Sequence, residues 1–485
     1  MVADIPELAL GKPMRTGLLS GRTMRSIVHA RTVPAVVSAA VVIAAAAVAI
    51  APVISPLHAQ DSHYWTVKYG PRASLLGGAV IGSVNDVSAA FYNPGGLAMA
   101  DSLGFALSLN VFERTSVTAE DVFGGEDVSL SRTGVAPSML GGAIRGPESG
   151  RDVIAYSFIT RQRVRNSIAE VAVAAPPGYE TVAAEISVNR DVSERWYGVS
   201  WARAVRPHFG IGATGFFTTR FDARAGHLVV AGSQAGQGVT ATRVREFDYD
   251  HYGFIAKLGA LLNYGSFAAG LTVTTPSIGL FGSGKMTYTD INVRDEPGGD
   301  PPLIAVAGLD GLSSEHRQPL SVGLGLRGGG ERFQLYGSAE WFADVGKYDV
   351  IRSGPFEPQS PSGSAQLEYI VSDERSSVLN WAMAIEGRVA ERVTAYVSYS
   401  TDLSSNDGSA SDLVMATWAI RTLSFGADFR IRGRSLTLGS AFGWGDSSTR
   451  DKTDLFPNVD LDPPPDFGPT PVRYRSFRLI LGFEF

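Results

Sequence analysis

Two glycine motifs in this chain have the spacing of a nucleotide-binding loop. Residues 210–215 and 323–328 both match G-x-G-x-x-G. A dinucleotide site needs this motif between a strand and a helix, because the helix N-terminus holds the pyrophosphate. Both motifs lie inside runs of alternating apolar residues, with no helical pattern after them. We therefore interpret them as glycine-rich strands, in which small residues keep one face of the sheet open.

Histidines are the other residues that could carry chemistry, through the Ser–His pair of a hydrolase. His251 is the best placed of them, because it lies near the start of a predicted strand beside Asp248 and Asp250. The remaining histidines beyond the N-terminal region are His208, His227 and His316. No G-x-S-x-G signature accompanies them. We interpret them as solvated turn and loop residues, and predict no catalytic residue.

An acidic loop near the C-terminus is the one candidate for a metal site. Its acids are Asp451, Asp454, Asp460, Asp462 and Asp466. Calcium needs several oxygens converging within one site, whereas these residues are scattered around three consecutive prolines, 463–465. We interpret the segment as a solvated loop. The sequence therefore predicts neither a metal nor any other cofactor.

The composition excludes several classes of protein. The chain has 485 residues, a net charge of −6 and no cysteine, and its mean hydropathy is +0.05. Without a basic excess we predict no nucleic-acid partner, and the hydropathy is too low for a bundle of membrane helices. A near-neutral average is typical of strands with one apolar and one polar face. Without cysteine, an unfolded chain that crosses an oxidising compartment cannot be trapped by wrong disulfides.

The C-terminal segment alternates apolar and mostly polar residues with a period of two, as in a strand. One side carries Phe477, Leu479, Leu481, Phe483 and Phe485, and the other carries Ser476, Arg478, Ile480, Gly482 and Glu484. A soluble protein seldom ends on so apolar a segment unless it is tied into a sheet. A transmembrane β-barrel needs such an end, because its last strand pairs with its first. The pattern predicts a barrel of a bacterial outer membrane.

Charged residues occur in the middle of several predicted strands, on the polar side. They are Arg327, Glu340, Asp428, Arg430 and Arg478. A packed sandwich core cannot hold such charges without a large cost. A watery lumen can hold them, and so can the solvated face of a soluble sheet, which is the competing explanation.

The lengths of the connections favour the barrel over a soluble sandwich. Six short turns are predicted at residues 145–151, 206–208, 263–266, 328–331, 390–392 and 432–434. Seven long loops are predicted at 118–134, 174–185, 222–246, 277–318, 351–376, 404–412 and 446–471. Barrels of the outer membrane sort short periplasmic turns from long external loops and have an even number of strands. The predicted fold is an all-β, transmembrane, antiparallel barrel of about 14 strands over residues 104–485.

The N-terminus resembles an export signal. A basic region is followed by an Ala/Val-rich run over residues 35–54 and by Leu57-His58-Ala59, which approximates a signal-peptidase site. A transmembrane anchor is the alternative, since the run is nearly long enough to span a bilayer. We predict a cleaved signal peptide over residues 1–59, because alanine is a poor anchor residue and prolines bracket the run.

The segment between the signal and the first strand is predicted to fill the barrel. Residues 60–103 are small and mostly apolar, with a Pro-Gly turn at residues 94–95. An exported segment of this kind should pack against something, and the barrel interior is the available place. We therefore predict an N-terminal hatch, or plug, over residues 60–103.

That segment resembles the start of the FadL/TodX family of outer-membrane transporters of long-chain fatty acids and other hydrophobic compounds. The resemblance rests on residues 70–73, on residues 77–79, on Asp86 and on the run from Ala90 to Ala98. Family members carry Asn-Pro-Ala-Gly-Leu-Ala where this chain has Asn93-Pro94-Gly95-Gly96-Leu97-Ala98. The third position therefore departs from the pattern. Only this plug motif is specific, whereas the resemblance in architecture covers the whole mature chain.

The resemblance implies a 14-stranded barrel with an N-terminal hatch, apolar capture sites in the external loops and sideways exit through the wall. The predicted hatch and gate residues are Asn93, Pro94, Gly95 and Gly96. Asn93 can close an Asx-type turn, Pro94 fixes φ, and the glycines permit positive φ. A tight plug turn that does not move is the alternative, since the residues alone do not choose between them.

The predicted function is passive uptake of hydrophobic molecules, either long-chain fatty acids or aromatic hydrocarbons, by a monomer that is not an enzyme. The predicted partners are a hydrophobic small molecule, outer-membrane lipid and lipopolysaccharide, and the barrel-assembly machinery through Phe485. The main alternative is a barrel without transport activity that serves secretion or assembly of partner proteins. A lipid-modifying enzyme is the weaker alternative.

Overall fold

The computed structural model describes residues 62–100, 104–123, 126–145, 151–174, 180–234, 236–294, 301–361, 365–406, 418–431, 434–448 and 471–484. The predicted signal peptide, its cleavage site and the terminal Phe485 lie outside these residues, as do the acids of the predicted C-terminal loop. Those predictions therefore stay predictions.

Short helices come first along the chain, and strands follow. The helices are α1 (Pro71–Leu75), α2 (Ala89–Tyr92) and a 3₁₀ helix (Pro94–Met99). The strands are β1 (Ala106–Phe123), β2 (Glu126–Arg145), β3 (Asp152–Ala174), β4 (Thr181–Arg206), β5 (Phe209–Gln234), β6 (Gln237–Asn263), β7 (Phe267–Thr274), β8 (Ile278–Arg294), β9 (Leu303–Ser313), β10 (Ser321–Gly329), β11 (Phe333–Phe342), β12 (Val345–Phe356), β13 (Leu367–Arg375), β14 (Val378–Ala390), β15 (Val393–Asp402), β16 (Ile420–Ile431), β17 (Arg434–Ser448) and β18 (Pro471–Glu484). Within the described ranges, no helix is long and apolar enough to cross a membrane.

Fourteen antiparallel strands close into a barrel, which confirms the predicted fold and strand number. The ring consists of β1–β7, β10, β11 and β14–β18. Closure is made by the C-terminal strand, because β18 pairs with β17 on one side and with β1 on the other. Leu107 lies opposite Phe483, and Leu109 lies opposite Leu481. Every strand of the ring therefore has neighbours on both sides.

Much of what the sequence predicts as long loop is strand in the structure. Strands β3 to β6 are 23 to 27 residues long, whereas about 9–11 residues cross a bilayer. The predicted loop 222–246 is a continuation of β5 and β6, which pair up to Gln234 and Gln237. Cross-strand pairs stabilise such a ladder in water as well as in lipid. The extensions lie opposite the short turns, which is the external side of barrels of this kind.

Two further predicted loops contain hairpins that do not belong to the ring. Within residues 277–318, β8 and β9 form a hairpin, and β8 pairs with the outer half of β6. Within residues 351–376, β12 and β13 form part of a separate two-stranded sheet. Its Val350 and Ile351 pack with Tyr249 and Met286 of the β6–β8 wall in one buried cluster. The external end of the barrel is therefore a folded structure.

The outer surface of the barrel is apolar, as lipid requires. On β14, Leu379, Trp381, Met383 and Ile385 are 37–63% exposed, whereas the alternate residues Val378, Asn380, Ala382 and Ala384 are buried. A continuous exposed apolar row is unfavourable in water. A row of this kind that is flanked by aromatic residues forms the lipid-facing band of a transmembrane barrel. The chain is therefore a multi-pass β-barrel of the outer membrane.

Inward charges occupy the predicted positions, but two of them are not surrounded by water. Glu340 is 5% exposed and Arg478 is 7% exposed. The Nε of Arg478 donates to Glu113 at 2.9 Å, and the Nε1 of Trp65 donates to Glu340 at 2.8 Å. These charges are thus satisfied by protein groups, several of which come from the segment that precedes β1.

We expect the substitution Met383→Arg to lower the free energy of unfolding by about 2–4 kcal/mol, because it places a charge on the lipid face near the bilayer midplane. The matched control Ala390→Arg, at the periplasmic turn after β14, should cost less than about 1 kcal/mol. Guanidinium titration in lipid vesicles measures both. Equal costs for the two variants would contradict the assignment of the lipid face.

Candidate functional site

Residues 62–100, which we call the lumen segment, pack against the inward faces of strands around the whole barrel. Tyr69, Leu75 and Leu97 are fully buried. The Oγ of Ser398 on β15 donates to the carbonyl of Leu75 at 2.8 Å, and the Oγ1 of Thr214 on β5 donates to Ala90 at 2.8 Å. Because these strands lie on opposite sides of the ring, the segment occupies the interior between them.

Carboxylates of the wall hold the first residues of the lumen segment. Asp402, at the external end of β15, accepts hydrogen bonds from the backbone N–H groups of Tyr64 and Trp65 at 3.1 and 2.9 Å. It also accepts from the Oγ1 of Thr66 at 2.6 Å. Bonds to an ionised carboxylate are about twice as strong as neutral ones. Hydrogen bonds to the carboxylate of Asp402 therefore hold this end of the lumen segment.

A salt bridge fixes the next part of the lumen segment, at α1. The Nη2 of Arg72 donates to Glu386 on β14 and to the hydroxyl of Tyr336 on β11, both at 2.8 Å. The Nη1 of the same guanidinium reaches the carbonyl of Ser83 at 3.4 Å. Arg72 thus joins two parts of the lumen segment to two strands of the wall.

The turn at Asn93 is held by the amide side chain of that residue, which is fully buried. Its Oδ1 accepts from the N–H of Gly95 at 3.1 Å, which is the Asx-type bond expected from the sequence. Its Nδ2 donates to the carbonyls of Ile81 at 2.9 Å and Ala260 at 3.0 Å. Asn93 therefore closes the turn and also ties it to strand β6.

Gly95 and Gly96 do not use the positive φ that glycine permits. Positive φ occurs in the lumen segment at Gly70, Gly77 and Gly78, whereas residues 94–99 form a 3₁₀ helix. Close approach to the wall explains Gly95 instead. A Cβ there would lie 2.8 Å from the carbonyl oxygen of Gly210 and 2.9 Å from that of Gly259.

The two G-x-G-x-x-G motifs form the wall side of this close approach. They lie in β5 and β10, as predicted, but their small residues do not leave an open lumen. Gly210 and Gly212 face the backbone of Gly95 and Pro94. On the other side, Gly323 and Gly325 of β10 face Ile81 of the lumen segment. Both motifs therefore form parts of the wall against which the backbone of the lumen segment packs closely.

The ladder between β2 and β3 is short although both strands are long. These strands pair only where residues 139–145 lie opposite residues 153–159. Beyond Ile159, β3 remains paired with β4 up to Ala174, and β2 remains paired with β1. The edges of β2 and β3 that face each other are thus unpaired on the external side. Unpaired edges at membrane depth are tolerated only against protein or a cavity.

Aromatic residues lie behind this edge on the inside of the barrel. The hydroxyl of Tyr69 donates to the carbonyl of Thr160, on the unpaired part of β3, at 3.4 Å. The rings of Tyr69 and Phe91 are 4.4 Å apart, and Phe91 lies 6.1 Å from Trp196. Trp196 is 5.2 Å from Phe216 in turn. An apolar lining therefore runs from the lumen segment to the unpaired edge.

Arg161 sits at the point where β3 loses its partner. Arg161 continues the buried inward row of Ser157 and Ile159. The register of β3 against β4 shifts between Thr160 and Gln162, so Gln162 lines the same cavity as Arg161. Its guanidinium lies 5.6 Å from the ring of Trp196 and is 9% exposed. Among the described residues it forms no salt bridge, and its Nε has no hydrogen-bond partner. A buried cation of this kind is suited to an anionic ligand group.

A polar cavity of about 20 Å³ adjoins Arg161, with room for one water or one carboxylate oxygen. Its lining includes His63, Arg161, Glu194, Arg220, His316 and Arg375. Arg220 is neutralised by Glu194 at 3.1 Å and by Asp222 at 2.7 Å. Burial lowers the pKa of His316 well below its usual value, so this ring adds no charge near neutral pH. Arg161 is therefore a guanidinium of this lining without a salt bridge among the described residues, and the carboxylates of Glu194 and Asp402 lie near enough to influence it.

Sequence reasoning did not single out Arg161. The available signal was a break in the alternation of β3, where Arg161, Arg163 and Arg165 follow an apolar stretch. That signal shows a charged strand but neither the register shift nor the missing partner strand. The register shift arises in the pairing of β3 with β4, and the missing partner arises because the β2–β3 ladder ends at Ile159. Neither is a property of the β3 sequence alone.

His251 does not form the arrangement that a hydrolase needs. The residue is 4% exposed, and its ring lies 6.2 Å from that of His316. Within the described part of the chain, no hydrogen bond joins its ring to a serine or threonine hydroxyl. The predicted solvated position is wrong for both histidines, because the folded β8–β9 and β12–β13 hairpins bury them.

Comparison with known proteins gives structural matches only. No family model matches the chain, and no curated protein matches it. A Pseudomonas aeruginosa FadL homologue matches with a TM-score of 0.57 and 12% identity, over 87% of this chain and 100% of that one. The Pseudomonas putida toluene transporter TodX matches with a TM-score of 0.52 and 12% identity, over 89% and 99%. The Ralstonia pickettii toluene transporter TbuX gives 0.51 and 12%, over 86% and 97%. The chain therefore has the fold that the FadL/TodX resemblance implied.

We expect the substitution Asn93→Ala to release the lumen segment from the wall. It removes three buried hydrogen bonds, and each carbonyl left without a partner costs about 1–3 kcal/mol. The rate of proteolysis within residues 62–100 should rise several-fold. The control Asn85→Ala loses one 3.3 Å hydrogen bond to Arg72 and should change the rate of proteolysis little. Equal rates for both variants would show that Asn93 does not hold the segment.

Proposed function

We propose that this protein is an outer-membrane channel for passive uptake of hydrophobic molecules, which leave the barrel sideways between β2 and β3. The observation that carries the proposal is the unpaired external part of these two strands, backed by aromatic residues. The lumen segment fills the axial route, since it contacts strands on both sides of the ring. A sideways route is therefore the one that the wall leaves to an apolar solute.

The energetics of apolar solutes support a sideways exit. Each CH₂ group favours an apolar phase over water by about 0.8 kcal/mol. An apolar molecule that leaves through the wall enters lipid directly, whereas an axial exit would place it in the periplasmic water. The external leaflet, with its lipopolysaccharide, slows direct partitioning. A protein path past that layer needs no energy source, so the transport is passive.

Arg161 indicates which of the two predicted ligand classes the site takes. Its guanidinium adjoins a small polar cavity, and the aromatic lining begins beside it. A carboxylate group on a long apolar tail complements both features. A neutral aromatic hydrocarbon would leave the buried charge unpaired, which is unfavourable. We therefore infer a long-chain fatty acid rather than an aromatic hydrocarbon, although two of the similar structures are toluene transporters.

The lumen segment is proposed to be the hatch, and Asn93, Pro94, Gly95 and Gly96 are proposed to be its gate turn. Their close packing on Gly210 and Gly259 supports a defined closed position. Movement of this turn would carry the adjoining α2, and with it Phe91, away from the unpaired edge. The alternative of a non-transporting barrel in secretion or assembly has no comparable support from the site.

The remaining predicted partners are also proposals. Outer-membrane lipid and lipopolysaccharide surround the apolar band, and the assembly machinery would recognise the strand that ends at Phe485. A monomer is consistent with a ring that closes on itself. Purification with bound fatty acid would favour transport, whereas a stably bound protein partner would favour assembly.

We expect the substitution Arg161→Gln to weaken binding of a fluorescent long-chain fatty acid about 10- to 100-fold, because a charge-assisted hydrogen bond is lost. Arg161→Lys should retain part of the affinity. Arg163→Gln, on the outward face of the same strand, is the matched control and should bind like the parent. Toluene, which has no carboxylate, should bind weakly and to the same extent in the parent and in all three variants. Parental fatty-acid affinity in folded Arg161→Gln would refute the assigned ligand class.

We expect Gly95→Leu to reduce fatty-acid uptake by cells at least tenfold while the barrel stays intact. The Cβ of the new side chain would lie 2.8 Å from the carbonyl oxygen of Gly210, which is too close. The gate turn can therefore no longer pack against strands β5 and β6. Gly330→Leu, at a periplasmic turn with open space around it, is the control. Heat-modifiable migration on gels monitors the barrel. Uptake at the parental rate would show that the turn has no gating role.

A further inference from the structure

We propose that the outer surface of β16, β17, β18 and β1 binds the phosphate groups of a phosphorylated glycolipid in the outer leaflet. Four arginines project outward there and are exposed: Arg114, Arg421, Arg473 and Arg475. The proposal concerns the outside of the barrel and does not depend on the transport function.

The register of the strands brings these arginines together. Arg421 on β16 lies opposite Trp444 on β17, which lies opposite Arg475 on β18. Neighbouring strands are about 4.8 Å apart, so Arg421 and Arg475 are separated by about 10 Å. Arg475 lies opposite Ser116 on β1, and Arg114 is two residues further along that strand. The arginines thus form one cluster on four consecutive strands.

The cluster lies at the external boundary of the apolar band. Below Arg421, the outward positions of β16 include Leu423 and Phe425, and those of β17 include Phe442 and Leu438. The ten residues from Arg421 to Ile431 at the periplasmic end of β16 span about 34 Å along the strand. With a tilt of about 40°, this is about 25 Å across the membrane, the height of the apolar band. Arg421 is therefore level with the lipid headgroups.

Aromatic residues mark the same level on the same side of the barrel. The ring of Trp444 lies 6.3 Å from that of Tyr399, which lies 5.4 Å from that of Trp381. Such rings occupy the membrane interface. Elsewhere at the external end of the wall, the outward row Val273, Val322, Trp341 and Leu379 carries no charge. The wall at β7, β10, β11 and β14 therefore lacks the outward charges that β16, β17, β18 and β1 carry at this level.

Two arginines of the cluster have no salt bridge to the described protein residues around it. Arg475 pairs with Asp446 at 3.1 Å. Arg421 and Arg114 form no salt bridge with any residue that the structure describes. Guanidinium groups bind phosphate with two parallel hydrogen bonds. A glycolipid that carries phosphates on its sugars satisfies these groups, while its acyl chains cover the apolar row below them.

Binding of lipid A to the purified full chain in detergent tests the proposal. The probes are lipid A with both phosphates, lipid A with the phosphates removed, and inorganic phosphate. The parent should bind the phosphorylated form at least tenfold more tightly than the dephosphorylated form, and added salt should weaken binding. The variant R114Q/R421Q/R475Q should bind phosphorylated lipid A at least tenfold more weakly than the parent. Each arginine near an anionic lipid surface contributes about fivefold to the affinity.

The matched control is R206Q/R332Q/R392Q, which removes the same charge from exposed arginines at the periplasmic turns. It should bind like the parent, and a heat-modifiable gel shift checks that both variants are folded. Equal affinity of the parent and the R114Q/R421Q/R475Q variant would overturn the site. Equal binding of both lipid A forms would overturn the role of phosphate. Displacement of lipid A by millimolar inorganic phosphate would identify a free-anion site and overturn the glycolipid.

Discussion

The structure depends on one constraint, which is that lipid offers no hydrogen bonds to a polypeptide backbone. Fourteen strands meet this constraint by closing into a ring through β1 and β18. The alternating side chains then sort themselves, apolar outward and small or polar inward. The one long interruption in the described ladders is between β2 and β3. An interruption there is costly unless protein or a cavity lies behind it, and its position is the main support for the sideways exit proposed above.

Closure of the ring also creates an interior that has to be filled, and the lumen segment fills it in two ways. Backbone packs against glycines where the wall is closest, as at Gly95 with Gly210 and Gly259. Charged side chains hold it where the wall is more distant, as at Asp402 and Glu386. The same inward charges that exclude a soluble sandwich therefore serve as anchors. A segment that is held by discrete bonds has a defined position, and the proposed gating would break these bonds while leaving the ladders of the barrel intact.

The sequence predicted the elements that follow from local period and failed where contacts are distant. The alternation within strands and the lengths of the turns predicted the barrel and its strand number, because both can be read from short stretches of sequence. The glycine motifs were assigned to strands correctly, but their close contact with residues 81–95 was not visible, since it joins distant parts of the chain. Gly95 was identified by the freedom of φ that glycine permits, whereas the structure shows close contact with the wall. Arg161 was missed because its position depends on where the partner strand β2 ends and on the distant residues that line the cavity.

A channel site has to bind its ligand and also release it, which limits how strong any one interaction can be. Arg161 meets this requirement because its charge is not isolated. Glu194 lines the same cavity and accepts from Arg220, so a carboxylate that enters meets a like charge as well as the guanidinium. The net attraction is therefore smaller than that of a bare buried arginine. The apolar tail, in contrast, meets only aromatic rings on one side and lipid on the other. In the proposed uptake of a fatty acid, the head group would thus be held loosely while the tail already favours the membrane. Release into lipid would then meet little resistance, and the concentration gradient would set the direction of transfer.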